Sequence, residues 1–503
     1  MSKERFFQRM EDIGLALTYD DVRLKTGYSE VLPHELSVAS KFSRNIPLQI
    51  PVVSAAMDTV TEHALATEMA RLGGLGIIHR GLKPELQAAH VAKVKNHLNG
   101  LIENPTCVRV DETIESILNR KEEEELSFHS FPVLNGENKL VGILTHNDFD
   151  FCTDTSRTVE EVMTRKVISA SPETTLAEAF EIMKQSKKKL LPLVDNNGFV
   201  TGLYVFSDVQ RVQSGQSANF NLDERGQLRV GAAVGTGDSA LLRAEQLIGA
   251  NVDVLVVDTA HGDSKPVYDT LKAIKDNYSS IDVVAGNISE PESAKRLVDA
   301  GADGIKLGQG PGSICTTRII AGIGSPQVSA VFKCSQVTQS AGVPLCADGG
   351  LRYSGDITIA LGAGAHSVMM GSMLAGTEES PGRRIFLNGR QWKYYRGMGS
   401  LSAMIESRSS RERYRQRDLS AERLVPEGVE GMVPYKGVLE DVLFQYVGGL
   451  RAGMGYVGAA NVDELHQKAD FHRITAAGKA ESHPHDIQIT KETSNYPGGL
   501  SGK

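Results

Sequence analysis

A cysteine set among glycines, Gly308-Gln-Gly-Pro-Gly-Ser-Ile-Cys315-Thr-Thr-Arg318, is where the sequence first offers chemistry. The apolar stretch 302–307 just before it reads as a strand, so the segment presents a thiol on a loop at a strand end. A thiolate held that way can attack a bound substrate, whereas an average lone cysteine is a small buried apolar residue. The other four cysteines (Cys107, Cys152, Cys334, Cys346) are widely spaced and form no Cys-x-x-Cys pair. That pattern argues against a disulfide framework or a zinc site and for a reducing compartment. Further on, residues 406–418 hold five arginines in thirteen positions, among them Arg413 next to Tyr414. By composition alone this is a solvated basic loop.

The elements that must position these groups are short apolar strands alternating with helical stretches. Eight strands are expected, at 50–54, 75–78, 230–234, 254–258, 283–286, 304–307, 343–347 and 367–370. That is the pattern of a (β/α)8 TIM barrel, whose chemistry sits just after each strand. Those positions hold Ser54-Ala-Ala-Met57-Asp58, Asp258-Thr-Ala-His261, Gly286-Asn287, the cysteine loop, Asp348-Gly349-Gly350 and Gly371-Ser372. Glycines after strands seven and eight suit a phosphate, because backbone N–H groups can approach the anion and Ser372 adds a hydroxyl. Asp348 then suits a sugar hydroxyl; its plainer role is a helix N-cap. No GxGxxG opens a βαβ unit, so a dinucleotide, if used, is not held by a Rossmann fold.

One segment repeats. Phe131-Pro-Val-Leu, Val141-Gly-Ile-Leu and Asp148 recur as Leu191-Pro-Leu-Val, Thr201-Gly-Leu-Tyr and Asp208, offset by 60 residues. Two copies make a pseudo-symmetric pair and not a solenoid. The unit resembles the CBS-type α/β domain pair, which implies a purine nucleotide between the copies. The ligand motif of that family stands in copy one as Thr145-His-Asn-Asp148; copy two has Val205-Phe-Ser-Asp208, with its hydroxyl displaced. The expected organisation is barrel at 1–101, repeats at 102–160 and 161–222, and the rest of the barrel at 223–503. The insertion follows the second strand and helix, in a surface loop. Lys187-Lys-Lys189 reads as a solvated helix end, Trp392 as a packing residue, and 497–503 as disordered.

The chain of 503 residues exceeds one ordinary domain, and its net charge of −8 gives no pull toward nucleic acid or anionic membrane. The charged N-terminus is no secretory signal and no apolar run approaches the roughly 20 residues of a spanning helix. A cytoplasmic protein is expected.

The cysteine loop, Asp348-Gly-Gly-Leu-Arg-Tyr-Ser-Gly-Asp356, Gly371-Ser-Met-Leu-Ala-Gly-Thr-Glu-Glu379 and Tyr395-Arg-Gly-Met-Gly-Ser400 together resemble the inosine-5′-monophosphate dehydrogenases, over nearly the whole chain. The resemblance implies that Cys315 attacks C2 of the hypoxanthine of IMP, hydride passes to NAD, and water hydrolyses the thioimidate to xanthosine monophosphate. It implies nucleotide binding by Ser313, Asp348, Gly349, Gly350, Gly371, Ser372, Tyr395 and Arg396, with Gly397, Met398, Gly399 and Glu427 toward the base. Asp258, Gly308, Gln309 and Gly310 would contact NAD. Carbonyls of Gly310, Gly312 and Cys315 would bind K+, joined by Glu481, Ser482 and His483 of a neighbouring subunit. The basic loop becomes a mobile flap (about 400–430) that enters the vacated NAD site and brings Arg413 and Tyr414 to the adduct. A guanidinium base is chemically awkward, since arginine normally stays protonated, and a relay from water through Thr317 to Glu427 is the substitute. Homotetramers, joined into octamers through CBS pairs, are implied too. The rival readings are a GMP reductase, which shares the barrel and cysteine loop but lacks the Arg-Tyr pair, and a catalytically idle CBS nucleotide sensor.

Overall fold

The computed structural model describes residues 2–98, 101–102, 105–123, 130–213, 219–416 and 419–487, with 489, 490, 493, 495 and 496. The chain forms two compact units: Met1–His97 with Asn219–Lys503, and Leu98–Ala218.

In the first unit eight parallel strands close a barrel: β1 (Val52–Ser54), β2 (Leu75–Ile78), β3 (Val230–Val234), β4 (Val254–Asp258), β5 (Asp282–Ile288), β6 (Gly304–Leu307), β7 (Leu345–Asp348) and β8 (Ser367–Met370). Neighbours follow chain order, and β8 pairs with β1 to complete the ring. Their near-continuous Val/Ile/Leu/Ala runs suit strands buried on both faces. Two of them start later than the sequence suggests, because Pro51 and Pro344 have no N–H to give the ladder. The ladder of β7 also runs on to Asp348, so this carboxylate ends the strand instead of opening the loop. Val53, Leu75, Ile77, Ala233, Val254, Val256, Val284, Cys346 and Met369 form one buried cluster that fills the barrel.

The opposite, N-terminal end of the barrel is stoppered by a hairpin, Ser40–Ser43 with Ile46–Leu48, whose Phe42 belongs to the same cluster. Asp282, the first residue of β5, holds this hairpin by accepting from Ser43 Oγ (2.6 Å) and the Asn45 amide (2.8 Å). With one end closed, the other is left for chemistry. There a three-stranded antiparallel sheet stands outside the barrel: Arg384–Leu387, Arg390–Arg396 and Glu430–Pro434. Arg396 pairs with Glu430. The chain between them therefore leaves and returns at one point, carrying the short helices Leu401–Glu406 and Arg408–Arg413.

The second unit has two halves of like design. One sheet joins Val108–Arg109, Phe131–Leu134 and Leu140–Leu144; the other joins Leu101–Ile102, Val200–Val205 and Leu190–Val194. Each half has a hairpin and an amphipathic helix, Ile114–Glu123 or Leu176–Ser186. Each has its own buried cluster, around Phe131 and Val133 in the first and around Leu191 and Leu193 in the second. The first cluster takes in Val159 and Met163, so that half runs past residue 160. The Thr145 hydroxyl and amide both donate to Asp148 (2.8 and 2.6 Å), closing a capping box on helix His146–Asp150. Lys187 ends helix Leu176–Ser186 in a left-handed conformation. The side chain of Asp208 and residues 497–503 lie outside the described set.

Among the described residues no helix is long and apolar enough to cross a membrane.

Candidate active site

A cavity of about 480 Å³ opens at the C-terminal ends of the barrel strands. That is the size of a small-molecule pocket. Cys315 lines it, on the loop after β6. Burial pushes the Cys346 thiol up to about 12 and Cys107 up to about 11, and raises Cys334 further, so these three are poor nucleophiles.

The cysteine loop is tied to a partner segment. Cys315 bridges to Gly428, the Thr316 amide donates to the Glu427 carbonyl (2.9 Å), and the Val429 amide to that of Ile314 (2.9 Å). This zip aligns three side chains. Cys315 Sγ lies 3.2 Å from Thr317 Oγ1, which donates to Glu427 Oε2 at 2.8 Å. A hydroxyl between a thiol and a carboxylate is a proton path with its acceptor in place.

Helix Arg408–Arg413 delivers the flap pair to the same cavity, which Arg413 and Tyr414 both line. Arg413 donates to Asp258, the last residue of β4. Tyr414 lies against Gly399, where a Cβ would meet its ring at 2.6 Å. Burial raises the Tyr414 phenol, and the hydrogen bond and charge of Arg413 oppose that. The residue expected to hold the dinucleotide is thus the one the flap arginine grips.

Behind this contact lies a buried charge network absent from the sequence reading. Lys306, in the middle of β6, reaches Asp258 Oδ1 (2.9 Å), Asp348 Oδ2 (2.7 Å) and Asn287 Oδ1. Asn287 Nδ2 donates to Asp348 Oδ2 (2.9 Å) and to the Gly308 carbonyl (2.7 Å). One ammonium thereby fixes both carboxylates, which without it would repel each other in a poorly solvated site. A lysine inside an otherwise apolar barrel strand was the available signal. Arg80, just past β2, is the second omission. It is 7% exposed, 3.6 Å from Glu412, and is held down to about 9 by burial, then by the charge of Arg413.

The expected phosphate residues gather where the loops after β6, β7 and β8 meet. A Cβ on Gly371 would touch Tyr395 Oη at 2.8 Å, and Gly349 and Gly350 lie against Pro311. Burial raises the Tyr395 phenol, and the Ser313 side chain and Ser372 backbone beside it oppose that. Gly308, Gln309, Gly310, Gly312, Asp348, Gly349, Gly397 and Met398 line the cavity. Arg396 does not; its guanidinium is held by Asp58 (2.6 Å) and Glu406 (2.8 Å), so it braces the base of the flap. Of the proposed potassium carbonyls, that of Gly312 accepts from the Cys315 amide at 3.1 Å and keeps a lone pair for a cation. Glu481, Ser482 and His483 are not brought to it within the chain. His483 lies on Tyr353 and Tyr496, and Lys479 of helix Ala476–Glu481 pairs with Asp20.

Fold and site together define a (β/α)8 enzyme with a thiol after its sixth strand and, lining the same cavity, the Arg413 guanidinium and Tyr414 phenol. Residues 16–485 match the family model described as the IMP dehydrogenase / GMP reductase domain, and the chain belongs to that family. It is 52% identical over 483 residues to the inosine-5′-monophosphate dehydrogenase of Aquifex aeolicus, covering 95% of this chain and 97% of that one. It is 46% identical to that of Bacillus subtilis, again over 95% and 97%. Among solved structures, a GMP reductase variant from Trypanosoma brucei in complex with guanosine 5′-monophosphate superposes with a TM-score of 0.86, at 42% identity, over 95% of this chain and all of that one.

Proposed function

We propose that this protein oxidises inosine 5′-monophosphate to xanthosine 5′-monophosphate. NAD, when bound, supplies the hydride acceptor. The Cys315 thiolate adds to C2 of the base, the C2 hydride leaves with its electron pair, and a thioimidate remains on the sulfur. Water then adds to that carbon, its proton passes to a protein base, and the thiolate departs. Xanthosine monophosphate, NADH and one proton are the products. A thiol suits both halves, since it attacks well and leaves well.

The observation that carries this reading is the grip of Arg413 on Asp258. Asp258 is the expected dinucleotide contact, so flap and NAD compete for one carboxylate, which separates hydride transfer from hydrolysis in time. The reductase reading draws on the solved relative, but a reductase has no water to activate, and here Arg413 and Tyr414 line the cavity that holds the thiol, while the Thr317–Glu427 path starts at it. Ser313, Ser372, Tyr395 and the glycines 349, 350 and 371 hold phosphate and ribose in this reading. K+ at Gly310, Gly312 and Cys315 is completed by a second subunit, which makes the working unit an oligomer, a tetramer or octamer. The second unit binds a purine nucleotide, and the protein works in the cytoplasm.

Incubation with inosine monophosphate, NAD and potassium should yield NADH, and Cys315→Ala should yield none. NADPH consumption with guanosine monophosphate in place of NADH formation would establish the reductase instead. Activity in neither direction would leave the nucleotide sensor.

A further inference from the structure

Glu62, His63 and His90 come together outside the cavity. Glu62 is the N-cap of helix His63–Arg71, His63 opens that helix, and His90 lies midway along helix Pro84–Lys95. Each offers one ligand atom, and these atoms all lie within 4.8 Å of one another. The two imidazoles stand edge to face with centroids 4.8 Å apart. The His63 amide donates to His90 Nδ1 at 3.3 Å, a long bond that coordination can replace. Around an ion with bonds of about 2.0–2.1 Å, tetrahedral ligands sit roughly 3.4 Å apart, so modest rotamer shifts close the set.

The surroundings support a ligand role. His79, 3% exposed, receives the Gly81 amide on Nδ1 (3.1 Å). The proton is thereby fixed on its Nε2, which faces Glu62 Oε1 at 3.5 Å. Carboxylates that bind a metal are themselves hydrogen-bonded, and His79 stands in that position toward Glu62.

We propose that Glu62, His63 and His90 bind a divalent transition-metal ion of the zinc class, with water completing the shell. Two imidazoles and one carboxylate favour zinc, cobalt or nickel over calcium or magnesium, which prefer all-oxygen shells. The ion clips the segment after β1 to the helix after β2. That segment carries Asp58, which anchors Arg396 at the base of the flap.

The test uses the full chain with Cys315→Ala, so that the cavity thiol cannot compete for metal. Chelator-stripped protein is titrated with Co2+ and with Zn2+ against a chromophoric chelator. One ion per chain and intense visible bands of four- or five-coordinate cobalt are expected, with zinc raising the thermal midpoint. His63→Gln with His90→Gln should abolish the bands and the zinc-dependent rise while leaving the metal-free midpoint near that of the parent. Should that double variant not fold, Glu62→Gln alone should weaken Zn2+ about tenfold or more. Equal uptake by parent and variants, or only the pale spectrum of octahedral cobalt, would overturn the proposal.

Discussion

At the scale of the residue, the proposed reaction has two devices for activating water at the cavity that holds Cys315. One is the Arg413 guanidinium, bonded to Asp258 with the buried charge of Arg80 beside it. The other is the Thr317–Glu427 path, which starts at the sulfur. Arg413→Ala should therefore leave the NADH burst intact and slow turnover by about 10²–10⁴-fold, with the covalent Cys315 adduct accumulating. Rapid quench and intact-mass spectrometry of the adduct check this, and a slow burst would remove Arg413 from the role. Cys315 and Arg413 were expected from the segments that carry them, and Glu427 from the family resemblance alone; all three line one cavity. Lys306 offered only its place in an apolar strand, and Arg80 no signal, because their partners are far along the chain: Asp258 ends β4 and Asp348 ends β7, while Glu412 lies in the flap. Arg396 misled for the opposite reason: its motif neighbours face the cavity, and its own side chain is captured by Asp58 and Glu406.

At the scale of the element, the loop after β6 distinguishes its glycines sharply. Gly308 has φ +146°, and a Cβ there would sit 2.2 Å from the Asp348 carbonyl oxygen. A Cβ on Gly312 would meet nothing nearer than Cys315 Cβ at 3.7 Å. Gly308→Ala should cost about 1–3 kcal/mol and most of the activity, and Gly312→Ala little of either, read by denaturant midpoints and turnover. A second element-level device is the contact of His366, just before β8, with His466 of helix Val462–Lys468. Their rings lie 5.2 Å apart, and His366 Nδ1 accepts the Leu345 amide at 3.2 Å. Burial, then the charges of His466 and Lys41, hold His366 at about 4, against an ordinary value of 6.5. The unfolded chain therefore binds a proton between these values and the folded chain does not. This contribution is complete above pH 6.5 and fades as pH falls toward 4, by about 3 kcal/mol in all. Thermal midpoints over that window should fall less steeply in His366→Asn. All eight strands were visible because fully buried runs are apolar and short. Their ends were less so, since Pro51 and Pro344 moved two starts and the ladder itself carried β7 to Asp348.

At the scale of the whole molecule, β2 and β3 are hydrogen-bonded neighbours although the whole second unit lies between them in sequence. Lys95, at the end of helix Pro84–Lys95, is 2% exposed and bonds Asp223 (2.8 Å) and Asp253 (2.9 Å). The outgoing and returning chain are thus clamped to one another within the barrel unit. Replacing residues 98–218 by a short Gly/Ser linker should leave the barrel folded, with NADH formation within a few-fold of the full chain. Circular dichroism and the NADH assay measure this, and loss of the folded barrel would show that the unit is needed for assembly. The insertion was legible from the repeat, whereas the clamp was not, since nothing in the sequence ties a lysine before the insertion to an aspartate after it. About 12 Å back along the same helix from this clamp, toward the catalytic rim, its Gln87 bonds the carbonyls of Ile78 and Ala233. One helix thus fixes both the junction and the ends of β2 and β3, so the two strands that the second unit separates in sequence are tied to each other through it at both ends.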